Sequence, residues 1–191
     1  MITSNAKNGR TSVSARMMMK PRALALAAVL VAGTTATLAQ SGGATNIGTF
    51  KDWNAFTSPD PNGKMCFVAT QPTDTKYSQP VSGRDPAFFQ ITRIPSKNVV
   101  NEASSIVGYT FAAGADVTID IDGTKFKMFL DASHPDTAWS VPETEAALIA
   151  AMKKGHKMTL TGTSKRKTVI TDSYSLAGIT AALDAATKEC P

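Results

Sequence analysis

The segment VTIDIDGTKFKMFL, Val117–Leu130, sets two alternating apolar–polar runs on either side of Asp122-Gly123. Period-two alternation sends successive side chains to opposite faces of a strand. Asp-Gly is a pair favoured by the two-residue type I′ turn of a hairpin. Fixing that turn places Ile119 opposite Phe126 and Val117 opposite Met128 on one face, with Asp120 opposite Lys125 on the other. A hairpin that is greasy on one side and charged on the other must lie on a partner layer. This feature fixes the fold class more firmly than any other in the chain.

Further runs fit the same reading. FKDWNAFTS and KMCFVATQ are two early strands joined by a Ser-Pro-Asp-Pro-Asn-Gly turn, and period two puts Cys66 and Val68 on one face. The polar stretch PTDTKYSQPVSGRD is expected as a long loop, followed by a strand AFFQITRI ended by Pro95 and another near Ser105–Phe111. KMTLTGTS and TVITDSYSLAG form two more strands around a tight turn at Lys165-Arg166-Lys167. Only two helices are expected. SVPETEAALIAAMKKG has capping-box spacing at Ser140 and Glu143, an apolar stripe Leu148-Ile149-Met152, and Gly155 to stop it. In the tail, Ile179, Ala182, Leu183, Ala186 and Cys190 fall on one helical face. About seven short strands with two helices predict a mainly β fold, an antiparallel β-sandwich carrying one mid-chain helix and a short C-terminal one.

The first residues read as an address. MMMKPRALALAAVLVAGTTATLAQ has a cationic start at Lys20 and Arg22, a short apolar run, and small residues before Gln40. This is the layout of a secretory signal peptide, and the run is too short for a membrane span. The expected division is therefore 1–39 as upstream extension plus cleaved signal peptide, and 40–191 as a single β-sandwich domain. A retained N-terminal anchor is the competing reading.

Charge must be read after that division. The chain carries 20 Lys and Arg against 15 Asp and Glu. Lys7, Arg10, Arg16, Lys20 and Arg22 lie in the leader, which holds no acid, so fifteen cations face fifteen anions in the remainder. The basic balance gives no support for nucleic-acid binding. No integral membrane segment is expected in the mature chain. Export would place Cys66 and Cys190 in an oxidising compartment, where they can pair with each other in one way. Such a bond would fasten the terminal helix to an early strand.

In order, GYTFAAGADVTIDIDGTKFKMF, AWSVPETEAALIAAMKKGHKMTLTGTS and TDSYSLAGITAALDAATKEC, preceded by a tryptophan and CFVATQP, resemble the invasion-associated locus B family of alphaproteobacteria. The resemblance spans about Phe50 to Cys190. It implies an exported immunoglobulin-like β-sandwich with a helix packed on it, and brings no catalytic residues with it. The expected role is non-catalytic binding at the bacterial envelope or in host-cell association, in the periplasm, on the outer membrane or after secretion. The resemblance also implies a small or glycine-containing turn after TLTGTS, where this chain has Lys165-Arg166-Lys167.

No residue pattern argues for catalysis. The chain has no Gly-x-Ser-x-Gly elbow, and cysteines joined in a disulfide offer no thiolate. DIDG lacks the further ligands of a calcium loop. No metal or other cofactor is expected. His134 in DASHPDTAW, near Asp131 and Asp136, marks the alternative of a periplasmic enzyme or small-ligand carrier, whereas His156 follows the helix between lysines and reads as exposed. Two cationic groups remain, Lys153, Lys154 and Lys157 at a helix end and Lys165, Arg166 and Lys167 at a turn. These are candidates for contact with an anionic envelope surface. They flank a strand roughly 20 Å long, too far apart to form one patch.

Overall fold

A computed structural model of the chain describes residues 43–191. The leader assigned to residues 1–39 lies outside the described residues.

The Asp122-Gly123 hairpin adopts the register its alternation requires. Val117 pairs with Met128, Ile119 with Phe126 and Asp120 with Lys125, between β7 (Val117–Ile121) and β8 (Thr124–Leu130). Before it come β1 (Thr45–Phe50), β2 (Trp53–Asp60), β3 (Gly63–Thr70), β4 (Asp74–Tyr77), β5 (Phe88–Ile94) and β6 (Val99–Ile106). After it come β9 (Thr137–Ser140), α1 (Pro142–Lys154), β10 (Lys157–Thr163), β11 (Val169–Ser175) and α2 (Ile179–Glu189). Eleven strands thus stand among the described residues where about seven were expected. One of the additional strands, β4, lies inside the stretch read as loop, because Asp74–Tyr77 pairs along β11. The segment expected as a strand near Ser105–Phe111 is shifted. Its strand ends at Ile106, and Phe111 keeps only an isolated bridge to Ser164.

All eleven strands belong to one antiparallel sheet, in the order β1-β2-β3-β5-β6-β9-β8-β7-β10-β11-β4. The sheet doubles back on itself. Trp53 on β2 donates its indole N–H to the Ser175 carbonyl on β11 at 3.0 Å, and the Phe89 ring on β5 lies 5.8 Å from that of Tyr174 on β11. The result is a β-sandwich whose two layers stay hydrogen-bonded through the β6–β9 pair. Trp53, Val68, Phe89, Ile91, Ile119, Leu160 and Tyr174 fill one shared core.

The helices close the sandwich. Leu148, Ile149 and Met152 are the buried stripe of α1, as their spacing predicts. The expected capping box does not form. Val141 is the N-cap residue, and Ser140 instead donates to Glu145 and accepts from the Ala103 N–H. Pro142 then starts the helix, where its missing N–H costs nothing. Helix α2 buries Ile179, Ala182, Leu183 and Ala186 against β1, β2 and β3. Cys190, just past its end, is bonded to Cys66 of β3, with Cα atoms 6.0 Å apart and a sequence separation of 124. The inward face predicted for Cys66 and the helical face predicted for Cys190 meet as expected.

Candidate functional site

Strand β11 breaks its own pattern. Ile170, Asp172 and Tyr174 alternate into the interior, and the middle residue of this buried row is an acid with no exposed surface. A buried carboxylate is tolerated only when paired and hydrogen-bonded. Asp172 meets both conditions. Arg84, from the loop after β4, grips it with two parallel bonds, Nη1 to Oδ1 at 2.7 Å and Nη2 to Oδ2 at 2.6 Å. Thr75 of β4 donates to Oδ1 at 2.8 Å, and the Arg84 Nε–H donates to the Val107 carbonyl at 2.6 Å. The fork geometry suits arginine and no other cation. Burial acts against the Arg84 charge, but the Asp172 bonds and field outweigh it and hold its pKa above the usual arginine value.

This pair pins the loop between β4 and β5 across the sandwich. The Gln79 side chain donates to Thr168 Oγ1 at 2.8 Å, and the Asp85 N–H donates to the Gly108 carbonyl. Gly108 has φ +67°, and a Cβ there would run into the Asp85 carbonyl. The loop and the strand layer beneath it enclose a cleft of about 660 Å³ lined in part by Tyr77, Val81, Arg84, Tyr109, Lys165 and Arg166. That volume falls within the range of small-molecule sites. The Arg84 guanidinium lies 5.2 Å above the Tyr109 ring. Burial first, and the Asp172 charge second, push the Tyr109 hydroxyl well above its ordinary pKa. That hydroxyl is buried and finds no hydrogen-bond partner among the described residues. Room for Tyr109 and Phe111 comes from Gly162 of β10, where a Cβ would strike the Phe111 ring.

The electrostatics follow from this pairing. Asp172 neutralises Arg84. Lys165 and Arg166, both exposed on the β10–β11 turn, make no ion pair among the described residues. Asp85 is the one carboxylate in the lining, so the cleft keeps a net positive rim. Of the six cations predicted to matter, the structure brings Lys165 and Arg166 to the cleft. Lys167 sits on the same turn in the left-handed region, φ 66°. Lys153, Lys154 and Lys157 lie at the far end of β10, roughly 20 Å away.

His134 reaches neither the cleft nor any other carboxylate cage. Its ring contacts Ser133 Oγ at 3.0 Å and lies 4.0 Å from Asp131, with both side chains more than half exposed. Hydrogen bonds from Ser133 hold the Asp131 carboxyl below its ordinary pKa, the direction opposite to that of a general acid. The His156 side chain is 94% exposed. Among the described residues no three His, Cys, Asp or Glu side chains gather as a metal site, and no helix is long and apolar enough to cross a membrane.

A family model described as invasion associated locus B (IalB) protein matches residues 53–187, from the first residue of β2 to within α2. The chain belongs to the IalB family. The crystal structure of invasion associated protein B from Bartonella henselae is similar, with a TM-score of 0.53 at 12% identity, covering 75% of this chain and 96% of that one. At that identity the likeness shows a shared fold. No curated protein sequence matches. The matched region of the IalB chain contains Arg84, Asp172, Tyr109 and the Lys165-Arg166 turn.

The sequence reading found the cationic turn but missed Arg84, Asp172 and Tyr109. The one available signal was an acid in the inward register of TVITDSYS, between isoleucine and tyrosine. Arg84 carried no such mark, because a polar loop conceals which of its charges is buried.

Proposed function

We propose that the chain is an exported, non-catalytic binding protein of the IalB family, acting at the bacterial envelope or in host-cell association through contact with anionic groups. The observation that carries this reading is the pair of exposed cations, Lys165 and Arg166, which make no ion pair among the described residues, over a cleft whose arginine is already neutralised by Asp172. Lys167 lies on the same turn but outside the cleft lining. Lys153, Lys154 and Lys157 form a second group that complements the C-terminal end of α1. Family membership and the Cys66–Cys190 bond support passage through an oxidising compartment. The leader at residues 1–39, with a mature domain from Gln40, is part of this proposal. No observation favours an enzyme or carrier built on His134.

Co-sedimentation with vesicles containing phosphatidylglycerol, against neutral phosphatidylcholine vesicles, tests the contact. Lys165→Glu with Arg166→Glu should abolish retention on the anionic vesicles, and Lys153→Glu with Lys154→Glu should leave most of it. Added salt should weaken it. Equal loss from both pairs, or no retention of the unaltered protein, would refute the cleft as the contact. Fractionation of cells into medium, periplasm and outer membrane separates envelope binding from a secreted, host-directed role.

A further inference from the structure

A second concavity opens on the outer face of the other layer, and its chemistry differs from that of the cleft. Trp53, Ala55, Val68, Phe89 and Ile91 alternate inward, so Asn54, Phe56, Phe67, Phe88 and Gln90 are turned outward. Cross-strand register aligns them. Asn54 pairs with Ala69, Ala69 with Gln90 and Gln90 with Ser104, while Phe56 pairs with Phe67 and Phe88 with Ile106. The Phe56 and Phe67 rings stack at 5.0 Å with 17° between their planes. With Phe88, Ile106, Asn54, Gln71 and Gln90 they line a groove of about 440 Å³.

Amide groups in this groove keep hydrogen-bonding capacity to spare. Gln90 donates once, to Ser104 Oγ at 3.1 Å, which leaves its second N–H and its carbonyl oxygen. Asn54 accepts from Thr49 through Oδ1 at 2.7 Å, which leaves both N–H groups. The Gln71 side chain makes no hydrogen bond among the described residues and is exposed. The only ionisable side chain in the lining is Asp52, so the groove repels anions. A protein-binding patch has an apolar centre and a polar rim. Here the order is reversed: cross-strand register sets Asn54, Ala69 and Gln90 in one row, with Phe56 and Phe67 in the row on one side and Phe88 and Ile106 on the other. Flat apolar ring faces beside unspent, uncharged donors and acceptors match a ligand that alternates C–H faces with hydroxyls.

We infer that this groove binds neutral sugar rings of a glycan, a binding site separate from the cationic cleft. It goes beyond the anionic contact proposed above. The test uses the purified full chain with short soluble fragments of β-glucan, mannan and galactan, followed by calorimetry and by NMR of side-chain amides. At least one fragment should bind saturably and shift the Asn54, Gln71 and Gln90 amide signals. Phe88→Leu, which keeps apolar bulk but removes the flat ring at a partly exposed position, should weaken binding by about tenfold. Gln71→Ala should also weaken it, both variants keeping the parental denaturation midpoint. Lys165→Glu with Arg166→Glu should leave glycan binding unchanged, so failure of the anionic contact and failure of this site read out separately. The inference is overturned if no fragment shifts the amides up to millimolar concentration, or if the variants bind equally well. Phosphocholine occupying the groove in place of sugars, or Phe88→Leu abolishing a concentration-dependent dimer, would also overturn it.

Discussion

Replacing Asp172 with leucine tests whether the buried Arg84–Asp172 pair fixes the cleft. Leucine keeps the branching and heavy-atom number of aspartate while adding methyl bulk, and the main consequence falls on Arg84. That side chain is 11% exposed, and its guanidinium would lose both bonds to a carboxylate while remaining charged. The Thr75 hydroxyl would lose its acceptor as well. Removing one partner of a buried ion pair costs about 3–5 kcal/mol, because the other charge stays buried and unpaired. In a domain of this length that loss corresponds to a fall in melting temperature of roughly 6–20 °C. Asp172→Leu combined with Arg84→Met removes both charges, and the double variant should be less destabilised than Asp172→Leu alone. Equilibrium urea denaturation at neutral pH, with the disulfide intact, reads both values. Asp172→Leu costing less than about 1 kcal/mol, the average effect of a point substitution, would refute the reasoning. So would additive losses in the double variant, because the pair would then not act as a unit.

Two further outcomes follow from other parts of the molecule. Reducing the Cys66–Cys190 bond, or replacing both cysteines with serine, should lower stability by up to about 5 kcal/mol on the chain-entropy account of a loop this long; intact mass before and after reduction should differ by two hydrogens. Asp60, Asp122, Asp131 and Glu189 have folded-state pKa values below their ordinary ones, through bonds led respectively by Lys97, the His156 backbone, the Ser133 backbone and Lys64. Their contribution is present above the unfolded pKa values and disappears as pH falls through the lowered ones, so melting temperature should drop on acidification below about pH 4, less steeply in high salt for Asp122, Asp131 and Glu189, whose side chains are exposed.

The fold was legible where local chemistry and tertiary packing agreed. Asp122-Gly123 sets the β7–β8 register without outside help, and Ile179 through Cys190 declare one helical face because that face is the only apolar one. Legibility failed where a distant partner decides. DTKY becomes β4 because β11 offers a free edge, 97 residues away between Thr75 and Asp172, and no local pattern marks it. Ser140 leaves its capping position because Ala103 and Glu145 offer it both a donor and an acceptor. The single sheet running through β6–β9 also rests on a pairing between segments more than thirty residues apart.

The candidate site fails the same test in a more instructive way. An inward acid costs folding energy unless something repays it, so Asp172 in the row Ile170-Asp172-Tyr174 already implied a cation from elsewhere in the chain. The described cations divide by what they can supply. Lys165, Arg166 and Lys167 follow β10 directly at the turn and stay in solvent, while Arg84 belongs to a loop long enough to cross β11 and reach inward. Once Arg84 is bound to Asp172, the loop that carries it becomes a wall, and Lys165 and Arg166 become its rim. The buried pair therefore acts on the cleft through position rather than charge. Loss of the pair should loosen the wall first, and the exposed cations should keep their attraction for anions while losing the shape that selects among them.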